Sequence, residues 1–86
     1  MENLMPSESY TVYILKCADK TYYVGKTKNL KERLTRHQKG HVSYTAKRLP
    51  IRLITFQVFF NEYKAVLFEK YLKSGSGRAF AKKHYY

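Results

Sequence analysis

Two tyrosines, an arginine, a histidine and a glutamate stand in an order that suits chemistry on a phosphate. The runs TVY and YVG contain Tyr13 and Tyr23, which are ten residues apart. Arg33 and His37 follow at i and i+4, the spacing that places two side chains on one face of a helix. Glu69 lies far downstream in a strongly basic chain. Arginine binds phosphate, a carboxylate binds a metal ion, and tyrosine or histidine can move a proton. The set therefore has the parts that phosphates, a metal ion and an attacking water would need.

Each of these residues also has an ordinary structural interpretation. Strand tyrosines are most often amphipathic core or surface residues, and this chain has nine tyrosines. The stem of Arg33 could simply cover apolar surface. Glu69 could form a structural salt bridge with Arg33 or an exposed i,i+4 pair with Lys73, which would contribute only about 0.3–0.5 kcal/mol. The functional interpretation of Glu69 is a magnesium ligand, because Mg²⁺ is often held by one or two carboxylates together with water and substrate phosphate.

Two residues follow directly after Tyr23 and Val24 and extend the candidate site. Gly25 would let backbone or substrate approach closely. Lys26 could place a charge on a phosphate or lower the proton affinity of a nearby tyrosine. It could equally be one of 17 ordinary basic residues, and its spacing alone favours that alternative.

A hairpin and a helix are predicted to position the first of these residues. Residues 10–16 (YTVYILK) and 22–26 are rich in β-branched and aromatic side chains, and the turn residues between them predict an antiparallel pair. Asn29 with Glu32 three residues later predicts a helix start, and Gly40 its end. Residues 42–49 are predicted to form a loop with a short helical turn.

The second half of the chain supplies a strand and two helices. The apolar run at residues 51–60 (IRLITFQVFF) predicts a central strand, and Asn61 caps a helix with an apolar stripe that includes Ala65, Phe68 and Leu72. Residues 74–77 (SGSG) are predicted to break that helix before a last one at 78–84. The resulting order, β-β-α-β-α-α, predicts an α/β (α+β) sandwich with a three-stranded, mostly antiparallel sheet. Residues 1–9 are predicted to be a flexible tail, and residues 10–86 a single domain.

Charge and composition restrict the partners. The formal charge is +11, from 17 Lys and Arg against 6 Asp and Glu, and a potential of this size attracts polyanions. Nucleic acid is the leading candidate, ahead of a merely basic soluble surface and an anionic membrane surface. No apolar run approaches the roughly 20 residues of a membrane span. The first nine residues do not resemble a signal peptide, and a lone Cys17 favours a reducing, cytoplasmic location. A monomer is favoured.

The stretch from Tyr10 to His37 resembles the GIY-YIG nuclease domain, and the similarity continues over nearly the whole chain. The subgroup it most resembles is the stand-alone bacterial one. Its pattern of Tyr-Val-Gly, then Leu-x-x-Arg-Leu-x-x-His, then a later Glu is matched here, as is the ending LKSGSGR. Two positions depart from the pattern. Thr11 replaces the glycine of the first motif, and Ala81 stands roughly where several members carry an asparagine.

The resemblance implies a role for each candidate. Tyr13 and Tyr23 would be the motif tyrosines, with Gly25 the motif glycine and Lys26 the adjacent lysine. Arg33 would bind phosphate, His37 would be its helix neighbour, and Glu69 would hold Mg²⁺ or Mn²⁺. The expected catalytic residues are therefore Tyr13, Tyr23, Lys26, Arg33, His37 and Glu69.

Three hypotheses for function follow. The first is a metal-dependent endonuclease that hydrolyses DNA phosphodiesters, selects its substrate by structure rather than sequence, and serves DNA repair or recombination. The second is a basic nucleic-acid-binding module of the same fold that cleaves weakly or not at all. The third is a basic protein-interaction domain, which would need an exposed apolar patch. The first hypothesis requires Tyr13, Arg33 and Glu69 to converge.

Overall fold

The computed structural model describes residues 7–86, so most of the predicted tail at residues 1–9 lies outside the described residues. The chain forms a three-stranded antiparallel sheet with helices, as the sequence predicts. The elements, in chain order, are β1 (Tyr10–Lys16), β2 (Tyr22–Thr27), α1 (Leu30–Gln38), α2 (Ser43–Ala46), β3 (Arg52–Phe59), α3 (Glu62–Lys73) and α4 (Gly75–His84).

The strand order β2-β1-β3 corrects one expectation, because the long apolar run at residues 51–60 is not the central strand. β1 is central and has five consecutive buried residues, whereas β3 lies at an edge. A strand paired on both sides and covered on both faces is the one that is fully buried. Phe56, Val58 and Phe60 remain 51%, 40% and 55% exposed. They form the apolar surface that the protein-interaction hypothesis requires.

The two faces of the sheet have different partners. Val12 and Ile14 of β1 form the hydrophobic core with Ala65 and Leu72 of α3 and Ala81 of α4. Because side chains alternate along a strand, Tyr13 points to the opposite face. That face is covered by α1 and α2, so the molecule has helices on both sides of the sheet.

The helix ends follow local capping chemistry. The Asn29 side chain accepts a hydrogen bond from the Glu32 backbone N–H at 3.0 Å, and Gly40 takes a positive φ of 76° just after α1. The predicted break at residues 74–77 is shorter than expected. Ser74 alone separates α3 from α4, since its side chain accepts from the Gly77 backbone N–H and so caps α4.

Within the described residues, no helix combines the length and the apolar composition that a membrane crossing requires.

Candidate active site

The Tyr13 ring lies across the neighbouring strand, and a glycine makes this possible. Tyr13 pairs with Gly25 of β2 in the antiparallel register, so both face the same side of the sheet. A Cβ added to Gly25 would lie 2.5 Å from both Cζ and Oη of Tyr13. The glycine is therefore required by the close approach of the tyrosine ring, and Tyr13 is completely buried.

A hydrogen-bond chain runs from this tyrosine to the backbone of the loop before α2. Tyr13 Oη lies 2.8 Å from His37 Nε2, and His37 Nδ1 lies 2.7 Å from Thr45 Oγ1. The Thr45 hydroxyl donates to the Val42 carbonyl at 3.3 Å. Both His37 and Thr45 are fully buried.

The bond from Thr45 to the Val42 carbonyl gives this chain one of its two directions, because that carbonyl also accepts from the Ala46 backbone N–H and does not require the Thr45 proton. A carbonyl oxygen can only accept, so in this direction the Thr45 proton points to Val42. Thr45 Oγ1 then accepts from His37 Nδ1–H, which leaves Nε2 as the unprotonated nitrogen. In this direction the Tyr13 hydroxyl donates to Nε2, and in the opposite tautomer Nε2–H donates to Tyr13 Oη. Where histidine moves protons, the hydrogen bond at one ring nitrogen commonly determines which of the two nitrogens carries the proton.

The ionisation of both groups follows from their environment. Burial raises the pKa of Tyr13, the neighbouring Tyr23 raises it further, the Arg33 guanidinium opposes this rise, and Glu69 adds to it. Burial lowers the pKa of His37, and the charges of Arg33 and Arg36 lower it further. At neutral pH the pair is thus a neutral phenol hydrogen-bonded to a neutral imidazole.

Tyr23 joins this group through ring contacts. Its ring centroid lies 6.1 Å from that of Tyr13 and 5.0 Å from that of His37, with the His37 contact edge to face. Tyr44 of α2 lies 5.6 Å away on another side. Tyr13, Tyr23 and His37 are therefore three members of one cluster.

Arg33 and Glu69 lie on different helices, and the charge of each acts on Tyr13. Arg33 lies on α1 one turn before His37, and its charge acts on both His37 and Tyr13. Glu69 lies on α3, and its charge also acts on Tyr13. The Glu69 carboxylate accepts from Lys73 Nζ at 3.1 Å, which is the i,i+4 pair expected as its structural alternative.

Lys26 is not brought to this cluster. It pairs with Val12 in the register, so its side chain belongs to the face that carries α3. There its Nζ lies 3.8 Å from a carboxylate oxygen of Glu62, at the start of α3. The sequence shows that Lys26 adjoins the motif, but the strand's alternation directs it away from Tyr13.

Comparison with known proteins agrees with the observed fold. Residues 9–84 match a family model described as the GIY-YIG catalytic domain. The chain belongs to the GIY-YIG family. This is a family of nuclease domains that act on nucleic acid.

The GIY-YIG relatives are bacterial, as the resemblance predicted. A UPF0213 protein of Pediococcus acidilactici is 41% identical over 75 residues, covering 83% of this chain and 76% of the relative. One from Streptococcus pyogenes serotype M5 is 38% identical over 76 residues, covering 87% and 83%. A solution NMR structure of a UPF0213 protein from Bacillus halodurans is similar with a TM-score of 0.57 and 32% identity, covering 86% of this chain and 80% of that one.

Glu69 is the carboxylate that the candidate site offers to a metal ion. Among residues 7–86, no group of three or more His, Cys, Asp or Glu side chains could hold a metal ion. Glu69 is 21% exposed and uses Oε2 for Lys73. A single hard oxygen donor fits Mg²⁺ or Mn²⁺ only when water and substrate phosphate supply the remaining ligands, which is how Mg²⁺ usually binds.

One residue of the site was missed by reasoning from sequence. Thr45 is hydrogen-bonded to His37 Nδ1, but a threonine in a short helical turn carries no pattern that distinguishes it from a surface residue. Ala81, which the sequence analysis places roughly where several family members carry an asparagine, is fully buried in the core. Its methyl group offers no hydrogen bond to a carboxylate or a phosphate.

Proposed function

We propose that this protein is a metal-dependent endonuclease that hydrolyses phosphodiester bonds in DNA and selects its substrate by structure rather than base sequence. The observation that carries the proposal is the hydrogen-bond chain from Tyr13 through His37 to Thr45 within a nuclease domain. With Tyr13 as the donor, it supplies a neutral proton acceptor behind a buried hydroxyl. The +11 charge supports a polyanionic substrate. The free, buried Cys17 accords with a cytoplasmic location.

In the proposed reaction Tyr13 passes a proton on rather than acting as a phenolate. A water molecule attacks phosphorus while its proton moves to Tyr13 Oη, and the proton of Tyr13 moves to His37 Nε2. The bond from phosphorus to the leaving sugar oxygen breaks, and that oxygen takes a proton from solvent. His37 ends as an imidazolium and later releases its proton. General-base assistance of this kind typically contributes 10²–10⁴-fold to the rate.

Arg33 and Tyr23 act on the phosphate in this proposal. The Arg33 guanidinium stabilises the charge that develops on the non-bridging oxygens, where a fixed cation contributes most. Tyr23, packed against Tyr13 and His37, positions the water or the phosphate.

Glu69 is the residue that would hold Mg²⁺ or Mn²⁺. When bound, such an ion stabilises negative charge on phosphate oxygens. For an ion to bind that carboxylate through both oxygens, Lys73 would have to release Oε2. Because that ion pair is partly exposed, its loss costs little.

The test is cleavage of branched, nicked and linear DNA with and without Mg²⁺. Tyr13→Phe keeps the ring and removes the proton relay, so we expect cleavage to fall about 10²- to 10⁴-fold. Tyr63→Phe makes the same chemical change at a side chain that is 69% exposed, and should leave the rate unchanged. Equal activity of Tyr13→Phe and wild type would refute the relay.

A second candidate is a nucleic-acid-binding module that cleaves weakly or not at all. Two observations favour it: Lys73 occupies the Glu69 carboxylate, and a core methyl group of Ala81 stands at the asparagine position. Wild-type protein that binds all three DNA forms but shows no Mg²⁺-dependent cutting would establish this candidate in place of the enzyme.

A further inference from the structure

Four tyrosine side chains line a cleft beside the candidate active site. The cleft has a volume of about 610 Å³, within the roughly 300–1,000 Å³ typical of ligand sites. Tyr22 and Tyr23 of β2 line it together with Tyr44 of α2 and Tyr86 at the end of α4. Tyr23 belongs both to this tyrosine cleft and to the cluster around Tyr13, so the two sites are adjacent.

Every charged side chain that lines the tyrosine cleft is a cation. Lys73 comes from the end of α3, and Arg78 and Lys82 lie one turn apart on α4. No acidic residue of the described chain lines the cleft. Its occupant is therefore an anion that also presents flat apolar surface.

The rings are held in place before any ligand arrives. Tyr22 and Tyr86 are stacked with centroids 3.7 Å apart and planes within 6°. The Arg48 guanidinium lies 4.0 Å from the centre of the Tyr44 ring, and its Nε donates to Asp19 at 3.0 Å. Aromatic rings that are already ordered lose little conformational entropy on binding a ligand.

We propose that the tyrosine cleft binds one unpaired nucleotide of the DNA, with its base stacked on a tyrosine ring and its phosphate against Arg78 and Lys82. The inference rests on the proposed function and adds the substrate class. Bases within a duplex offer only their edges, so a tyrosine face can stack only on a base that has left the helix or was never paired. The preferred substrates are then DNA with single-stranded, frayed or branched segments next to the cut.

The experiment measures binding without divalent metal, so that cleavage does not interfere. The probes are a fluorescent single-stranded 15-mer, the same length of backbone with abasic sites throughout, and the matching duplex. Wild type should bind the normal single strand more tightly than the abasic one, because both carry the same phosphates. Stacking of one base corresponds to about 5- to 150-fold in affinity.

Matched variants separate stacking from charge. Tyr44→Ala and Tyr86→Ala together should remove the preference for the normal strand over the abasic one, while Tyr44→Phe should keep it because the ring remains. Tyr63→Ala removes an exposed tyrosine outside the cleft and should change nothing. Arg78→Ala should weaken binding to both strands equally. Unchanged melting temperatures of the double variant establish that it is folded; if it unfolds, the single variants Tyr44→Ala and Tyr86→Ala carry the comparison, and each should reduce the preference.

The results distinguish failure of the inference from failure of the proposed function. Equal wild-type affinity for normal and abasic strands, together with Mg²⁺-dependent cutting, would overturn the tyrosine cleft and leave the endonuclease intact. A clear preference for the normal strand without any cutting would support the cleft and overturn the endonuclease. Tighter binding to the duplex than to the single strand, retained in the double variant, would also overturn the cleft.

Discussion

Gly25→Ala tests whether the position of the Tyr13 hydroxyl governs activity. The new Cβ would lie 2.5 Å from Tyr13 Cζ and Oη, about 0.9 Å short of the 3.4 Å at which ordinary contact begins. β2 is hydrogen-bonded to β1 along its length, so the ring rather than the backbone must move. A shift of that size away from His37 would lengthen the 2.8 Å bond to about 3.7 Å, beyond hydrogen-bonding range.

Two consequences follow for Gly25→Ala. Overpacking of this kind costs about 1–3 kcal/mol of unfolding free energy. In a domain of 86 residues each kcal/mol corresponds to about 4–8 °C in melting temperature. Loss of the proton relay should lower cleavage about 10²- to 10⁴-fold, as in Tyr13→Phe. Because both changes act through one hydroxyl, the double variant should cut no more slowly than Tyr13→Phe alone.

The assay for Gly25→Ala is thermal melting and Mg²⁺-dependent cleavage on the same preparations. Gly75→Ala is the matched control, because a Cβ at Gly75 meets nothing within 4 Å and the substitution should leave stability equal or slightly higher. A Gly25→Ala protein that melts and cuts like wild type would show that the ring does not need this space, and the account of the site would be wrong.

Three further predictions concern charge and protonation. Glu69→Gln should change the melting temperature little, because the partly exposed pair of Glu69 with Lys73 contributes only about 0.3–0.5 kcal/mol. The same variant should lower cleavage by orders of magnitude while DNA binding without metal persists. If the variant cleaves as fast as wild type, Glu69 does not belong to the site. Cleavage should decline as pH falls through the pKa of His37, which burial lowers below the ordinary value of about 6.5. Stability should decline in the same direction, because the unfolded chain takes up the proton at a higher pH than the folded protein does. His37→Gln should remove this part of the pH dependence of stability, and a variant whose unfolding depends on pH as the wild type's does would contradict the prediction. Binding to duplex DNA should weaken with salt at a log-log slope of roughly −4 to −5, for about 4–6 phosphates neutralised, and a slope near zero would count against a nucleic-acid partner.

Local chemistry in the sequence was sufficient to predict the hairpin, α1 and the helices on both sides of the sheet. Asn29 and Gly40 mark the ends of α1 through capping and a positive φ, and both effects depend on nearby residues alone. Strand order depends instead on which strand is covered on both faces. The run at residues 51–60 is more apolar than β1, yet its exposed Phe56 and Val58 show that composition does not reveal an edge.

For the candidate site as well, the local sequence predicts some contacts, and others depend on strand register or the path of a loop. Helical spacing placed Arg33 and His37 on one face, and the structure brings His37 to Tyr13. The side of β2 on which Lys26 lies could not be known without the register, since a shift of one residue reverses every side chain. Thr45 is eight residues from His37, and only the path of the loop before α2 brings the two together.

The fold requires a glycine at only one of the two positions where the family motifs have one. Thr11 stands at the first one, on the same face of β1 as Tyr13 and two residues before it, and its side chain is accommodated with 7% exposure. Gly25 lies directly beneath the Tyr13 ring, where even a methyl group would collide. A glycine is therefore needed only where the tyrosine crosses the neighbouring strand. The replacement at residue 11 leaves the hydrogen bond between Tyr13 Oη and His37 Nε2 in place.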